Sequence, residues 1–136
     1  MNILFVCKWN QGRSQIAEAL YKKYFPKNSA VSVGTHTTKH NSSVPLSKCA
    51  PLVVRVLNQW DIDVNNKYPK RLTQEYAKNA DVIVVLCDMS NLPLYLLGNP
   101  KVTHWPIDDP DGKGYEYHVV MRDKIDKLIK DTFKAR

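Results

Sequence analysis

Cysteine is scarce in this chain, and its number is odd. The 136 residues contain three cysteines, at positions 7, 49 and 87, which argues against a fold built on paired disulfides. No C-x-x-C pair or Cys/His cluster has the spacing of a zinc site, so we expect no metal and no cofactor. Reduced thiols are the simplest interpretation.

Long apolar runs are also missing, and none approaches the roughly 20 residues needed to cross a bilayer. The first apolar stretch, residues 3–7, has the length of a strand and lacks the basic lead of a secretory signal. We therefore expect a cytoplasmic protein with no membrane partner. Repeats, low-complexity segments and linkers are absent too, which predicts a single domain spanning residues 1–136.

The formal net charge is +7, but the positive residues are dispersed. The clearest cluster, formed by Lys67, Lys70 and Arg71, is not interleaved with aromatic residues as a base-stacking surface would be. A basic surface also attracts small anions and phosphorylated partners. We therefore expect anionic substrates and no nucleic acid.

Strand-like and helix-like segments alternate along the chain. Strands are predicted at residues 2–6, 30–33, 81–86 and 101–105. Helices are predicted at residues 14–24, 51–60, 74–79 (with Thr73 as cap) and 115–133, whereas 35–48 has the composition of a loop. The run 81–86 is apolar on both faces, which is typical of the middle of a parallel sheet.

This alternation predicts a three-layer α/β fold, a four-stranded parallel sheet flanked by helices. In such sheets, ligands bind beyond the carboxyl ends of the strands. Cys7 ends the first predicted strand, Cys87 follows the third, and Asp108 and Asp109 follow the fourth. We expect these residues to share one edge of the sheet. The last helix is predicted to bury Val119, Val120, Ile125, Leu128 and Ile129.

The loop after the first strand carries the strongest chemical signal. Cys7 ends the strand, Arg13 lies six positions on, and a helix begins at once. Inward-pointing amides and the helix N-terminus would form an anion nest, in which Arg13 adds a bidentate clamp. The same field stabilises a thiolate, so Cys7 is the candidate nucleophile and Ser14 a donor to it. The residues between them, the candidate oxyanion-binding set, are Lys8, Trp9, Asn10, Gln11 and Gly12.

A general acid for the leaving group is expected among the clustered carboxylates Asp108, Asp109 and Asp111. Pro110 stiffens the residue before it, so Asp109 is the first choice and Asp108 the alternative. Without the other site residues, segment 108–112 has the composition of an ordinary solvated turn. In the same way, Cys7 and Arg13 could be only a buried thiol and a surface cation. Trp9 is expected at the mouth of the site, where it can stack on a substrate.

These residues resemble the low-molecular-weight protein-tyrosine-phosphatase family, which includes thioredoxin-coupled arsenate reductases. Matching segments, at 3–19, 32–35, 61–63, 80–88, 104–112 and 122–123, cover nearly the whole chain. The resemblance implies a phosphocysteine intermediate on Cys7, with Arg13 as oxyanion clamp, Ser14 as thiolate donor and Asp109 as acid. It also implies that Asn10 holds the shape of the loop.

The chain departs from the family pattern at several positions. Trp9 replaces a usual glycine, Gly12 stands where many members have a second cysteine, and Lys67 replaces a histidine that often supports the loop asparagine. Asp111 and Gly112 follow Pro110, where phosphotyrosine phosphatases commonly have tyrosines. This last departure weakens the prediction of phosphotyrosine as the substrate.

Two activities therefore compete. Cys87 aligns with the first resolving cysteine of the reductases, but their second would fall at Leu94, and hydrolysis needs no further thiol. We predict a phosphatase acting on a phosphorylated protein or small phosphoester. The alternatives are an arsenate reductase that uses Cys7, Cys87 and thioredoxin or another thiol donor, and a non-catalytic binder of oxyanions or phosphoproteins.

Overall fold

The structure, a computed structural model, describes residues 1–134. The strands are β1 (Asn2–Cys7), β2 (Ser29–Gly34), β3 (Val82–Val85) and β4 (Val102–His104). The helices are α1 (Arg13–Tyr24), α2 (Lys39–Ser42), α3 (Leu46–Cys49), α4 (Pro51–Asn58), α5 (Gln74–Asn79) and α6 (Tyr115–Thr132), with a 3₁₀ turn at Met89–Asn91. No helix in this part of the chain is long and apolar enough to span a membrane.

The four strands form one parallel sheet in the order β2-β1-β3-β4. The predicted four-stranded α/β fold is therefore confirmed, and β3 lies inside the sheet as its apolar run predicted. The register places Cys7 beside Gly34 and Val6 beside Val85. Because all strands are parallel, the loops that follow them emerge at the same edge of the sheet.

Apolar residues pack against both faces of the sheet. Successive residues of β1 point to opposite faces, so this one strand contributes to both cores. Ile3 and Phe5 pack with the buried faces of α1, α4 and α6. Leu4 and Val6 pack on the other side, with Ala77 of α5 and the segment that follows β3. The sheet is thus the middle of three layers, and the end of β1 is held rigidly between the other two.

Two predictions about local structure were wrong. The segment 35–48, expected to be a loop, contains α2 and α3. Thr38 starts α2 through a capping box, accepting from the Asn41 backbone while the Asn41 side chain accepts from the Thr38 backbone. In α6, Val120 is 63% exposed rather than buried. The buried positions Met121, Ile125 and Ile129 recur every fourth residue, as one helical face requires.

Candidate active site

The thiol of Cys7 lies at the end of β1 beneath the loop that leads to α1. Its Sγ is 2.9 Å from Ser14 Oγ and accepts from the Asn10 backbone N–H at 3.3 Å. Ser14 Oγ itself accepts from Asn10 Nδ2 at 2.7 Å, which leaves the hydroxyl proton free for the sulfur. The sulfur is therefore a hydrogen-bond acceptor in this loop, as a thiolate requires.

Asn10 fixes the bend of the loop in a left-handed conformation, with φ 58°, which asparagine tolerates better than most residues. Its Oδ1 accepts from Gln15 Nε2 at 3.1 Å and from the backbone N–H of Lys70 at 2.8 Å. Sequence analysis missed both donors. The backbone of Lys67 is bonded instead to Val64 and Leu46.

Gly34, at the end of β2, permits the loop to approach the sheet. A Cβ at this position would lie 2.8 Å from the Asn10 nitrogen, 2.8 Å from the Trp9 carbonyl carbon and 2.1 Å from Thr37 Oγ1. Thr37 Oγ1 donates to the Trp9 carbonyl at 2.8 Å. The loop is thus clamped against β2 by a contact that only glycine accommodates.

The Arg13 guanidinium is held by backbone carbonyls of the segments that follow β3 and β4. Its Nη1 donates to the carbonyls of Leu86 at 3.2 Å and Ile107 at 3.0 Å, and the residue is 5% exposed. Its Nη2 lies 3.8 Å from Asp109 Oδ2. Because the side chain is already oriented, its remaining N–H groups need little reorganisation to bind an oxyanion.

The two candidate acids occupy different positions. Asp109 lines the same cleft as Cys7, and its Oδ1 accepts from the Asp111 backbone N–H at 2.9 Å. Asp108 lines only a second cavity, which Asp109 also lines and which does not include Cys7, and the Asp108 carbonyl accepts from the Tyr117 hydroxyl. Asp109 is therefore the one of the two carboxylates that shares a cleft with Cys7.

The main cleft has a volume of about 490 Å³. It brings together six of the predicted site residues, Cys7, Trp9, Gln11, Gly12, Arg13 and Asp109. Ala50, Pro51, Leu52 and Val53 form an apolar wall of the cleft. Other parts of its lining come from the phosphate loop, the loop of residues 8–12 between β1 and α1. Cys49 and His118 also line this cleft, and no sequence signal placed them there.

Four other predicted site residues lie outside the cleft lining: Lys8, Asn10, Ser14 and Cys87. Asn10 and Ser14 are fully buried and form hydrogen bonds with Cys7 Sγ. The Lys8 ammonium group lies 5.5 Å from the Trp9 ring centroid, and Lys8 lines the second cavity. The His36 ring packs edge-on against the Trp9 indole, with ring centroids 5.8 Å apart.

Cys87 lines this second cavity, of about 280 Å³, together with Arg13. Burial and, to a smaller extent, the negative charge of a Cys7 thiolate raise the pKa of Cys87, whereas Arg13 lowers it, and the net value is about 11. His104 Nε2 lies 2.8 Å from the Cys87 carbonyl oxygen. Within residues 1–134, no group of three or more His, Cys, Asp or Glu side chains is placed to hold a metal ion.

Comparison with known proteins matches this geometry to one family. The model of the family described as low molecular weight phosphotyrosine protein phosphatase covers residues 2–135. An arsenate reductase of Staphylococcus aureus is 32% identical over 136 residues, which is 98% of this chain and 96% of the reductase.

Solved structures share the fold. Wzb of Vibrio vulnificus, in complex with benzylphosphonate, aligns with a TM-score of 0.84 at 23% identity, over 96% of this chain and 95% of its own. A YwlE arginine phosphatase, a C7S mutant with a phosphorylated active-site serine, aligns with a TM-score of 0.80 at 24% identity, over 100% and 98%. With a family model that matches almost every residue, the chain belongs to the low molecular weight phosphotyrosine protein phosphatase family.

Proposed function

We propose that the chain is a cysteine-dependent phosphatase that hydrolyses phosphomonoesters through a phosphocysteine intermediate, acting as one domain. One observation carries the proposal. Cys7 Sγ, which accepts hydrogen bonds from the loop, shares a cleft with an oriented Arg13 and with the Asp109 carboxylate. A nucleophile, an oxyanion clamp and an acid are the three parts that phosphoryl transfer to a cysteine needs.

In the first step, the loop amides and Arg13 bind the non-bridging oxygens of the phosphate. Cys7 Sγ attacks phosphorus, and the P–S bond forms as the bond to the leaving oxygen breaks. Asp109, which lines the cleft beside Arg13, gives its proton to that oxygen. Ser14 and the Asn10 amide hold the sulfur in position for the attack.

In the second step, Asp109 is a carboxylate and takes a proton from a water molecule that attacks phosphorus. The new P–O bond forms as the P–S bond breaks, and inorganic phosphate leaves. The departing thiolate is again stabilised by Ser14 and the Asn10 amide. No second thiol takes part in this cycle.

The size of the cleft supports an ester rather than a free oxyanion as the substrate. About 490 Å³ exceeds what a phosphate ion fills, and the leaving group would lie between Trp9 and the wall at Leu52 and Val53. An indole and an aliphatic wall suit an aryl or other partly apolar leaving group. Phosphotyrosine in a protein and small aryl phosphates both meet this description.

Arsenate reduction is the second candidate, since the S. aureus relative carries that name and Cys87 lies in a cavity beside Arg13. In that reaction Cys7 Sγ would attack arsenate with loss of water and form a covalent S–As(V) adduct. The Cys87 thiolate would then attack Cys7 Sγ, so that a Cys7–Cys87 disulfide forms as the S–As bond breaks and its electron pair leaves with arsenic as arsenite. An external thiol such as thioredoxin would reduce the disulfide. The buried Cys87 thiol, with its pKa of about 11, is a weak nucleophile at neutral pH.

The deciding experiment measures hydrolysis of para-nitrophenyl phosphate across mildly acid to neutral pH, with the unmutated protein, Cys7→Ser and Cys87→Ser. We expect turnover that is lost in Cys7→Ser and kept in Cys87→Ser. Arsenate turnover with a thiol donor is measured in parallel. Negligible hydrolysis together with Cys87-dependent arsenate turnover would replace this proposal with the reductase. Phosphate binding without either turnover would indicate a non-catalytic binder.

A further inference from the structure

The segment that leads to Asp109 is held through two successive backbone carbonyls. The Ile107 carbonyl accepts from Arg13 Nη1 at 3.0 Å. The next carbonyl, that of Asp108, accepts from the Tyr117 hydroxyl at 2.7 Å. Because a peptide unit is planar, the Asp108 carbonyl and the Cα of Asp109 lie in one plane. The hydrogen bond from Tyr117 therefore restrains the plane from which the Asp109 side chain projects.

The Asp109 carboxylate depends on this backbone because little packing surrounds it. Its side chain is 43% exposed, with Oδ2 3.8 Å from Arg13 Nη2. On its other side, Pro110 disfavours a helical backbone at Asp109, and Asp109 Oδ1 accepts from the Asp111 N–H at 2.9 Å. The carboxylate is thus located by the chain before and after it.

Tyr117 is itself well anchored. It lies on α6, and its ring packs against the core formed with α1 and α4, while Lys113 Nζ lies 5.4 Å from the ring centroid. Burial and, to a smaller extent, the Asp108 carboxylate raise the pKa of Tyr117, whereas Arg13 lowers it less. The hydroxyl therefore keeps its proton at neutral pH and remains a donor. Tyr117 lines neither the cleft nor the second cavity, so it has no contact with a substrate bound as proposed.

We propose that Tyr117 is a positioning residue for the acid: its hydroxyl holds the Asp108 carbonyl and so keeps the Asp109 carboxylate beside Arg13. This proposal rests on the proposed function, in which Asp109 gives its proton to the leaving oxygen. Without the hydroxyl, the peptide unit between Asp108 and Asp109 is free to rotate, and the carboxyl group is less often placed for proton transfer. Phosphate binding is kept, because Arg13 and the phosphate loop retain their own hydrogen bonds.

The test is Tyr117→Phe, which removes only the hydroxyl, assayed with two substrates whose leaving groups differ. For phenyl phosphate, a poor leaving group, kcat/KM should fall about three- to tenfold, as expected for the loss of one hydrogen bond. For dinitrophenyl phosphate, whose leaving group departs without a proton, kcat/KM should stay within about twofold. Inhibition by inorganic phosphate should also stay within about twofold. Tyr115→Phe is the matched control, since it removes from the same helix a hydroxyl that accepts from Gln59 Nε2.

A double variant separates positioning from a general loss of structure. Tyr117→Phe added to Asp109→Asn should lower kcat/KM for phenyl phosphate no further, because no acid remains to be positioned. Full additivity in the double variant would overturn the proposal. So would equal losses with both substrates, no loss with either, or the same selective loss in Tyr115→Phe.

A second measurement does not depend on turnover. Backbone amide relaxation, measured by NMR, reports the fast motion of Asp109 and Asp111 as order parameters. These should fall in Tyr117→Phe and stay unchanged in Tyr115→Phe. Unchanged values in Tyr117→Phe would contradict the positioning role. A fall in these values, in a protein that hydrolyses neither phosphate ester, would support the hold on Asp109 and reject only the proposed phosphatase activity.

Discussion

The Asp109 carboxylate lies 3.8 Å from the Arg13 guanidinium, and both side chains line the cleft that contains Cys7. A charge pair at this distance, with the carboxylate 43% exposed, adds little to stability. Under the proposed mechanism, its importance is that the proton donor Asp109 lies beside Arg13, the residue proposed to bind the phosphoryl oxygens.

Asp109→Asn should lower kcat for phenyl phosphate by about 10²- to 10⁴-fold, because the poor leaving group then departs without a proton. KM should change far less, since Arg13 and the loop remain. Asp108→Asn is the matched control and should keep most of the activity, because Asp108 does not line the cleft that contains Cys7. Steady-state kinetics give kcat and KM for both variants. A greater loss of kcat in Asp108→Asn than in Asp109→Asn would identify Asp108 as the acid.

Gly34→Ala should displace the phosphate loop. The new methyl group would lie 2.8 Å from the backbone of both Trp9 and Asn10, so the loop must move outward. We expect about 1–3 kcal/mol of destabilisation and at least tenfold weaker phosphate binding. Gly114→Ala is the control, because a Cβ there meets nothing within 4 Å. Unchanged phosphate affinity in Gly34→Ala would mean that the loop tolerates displacement.

Arg122→Met should lower the free energy of unfolding by about 2–3 kcal/mol without a specific effect on the cleft. Arg122 is 7% exposed, donates to the Val56 carbonyl and to Gln59 Oε1, and packs 4.0 Å from the Trp60 ring centroid. Urea unfolding measures the change, with the exposed Lys127→Met as control. A selective loss of kcat with full stability would contradict this purely structural role.

Cys87 should react slowly with iodoacetamide at neutral pH, and its rate should climb as the pH rises toward 11. Burial raises its pKa to about 11, so the reactive thiolate is a small fraction until then. Site-resolved mass spectrometry of the alkylated protein gives the profile. A midpoint near the ordinary thiol value would show that Cys87 ionises readily, which would strengthen the reductase hypothesis.

The sequence predicts the strands of the sheet well because a buried strand appears in the sequence as a short run of apolar residues. The run that forms β3 is apolar on both faces, and the structure places it inside the sheet, between β1 and β4. Thr73 was expected to cap a helix, and its side chain accepts from the Tyr76 backbone N–H at the start of α5. Side-chain type alone carries both of these signals.

The support of the phosphate loop could not be predicted in the same way. Asn10 depends on a backbone N–H of Lys70 and on the absence of a Cβ at Gly34, neither of which a side-chain pattern records. The burial of Val120 was predicted wrongly for a different reason. Helix α6 has apolar residues on several sides, and its packing against α1 and α4 determines which of them are buried.

The left-handed bend at Asn10 is held by hydrogen bonds from Gln15 Nε2 and from the Lys70 backbone N–H. An oxyanion bound as proposed would therefore meet a loop already held in shape, and little backbone entropy would be lost on association. Affinity in such a loop is governed by the fit of each oxygen to a fixed donor. Discrimination between two tetrahedral anions of different bond length would then arise from rigidity rather than from charge.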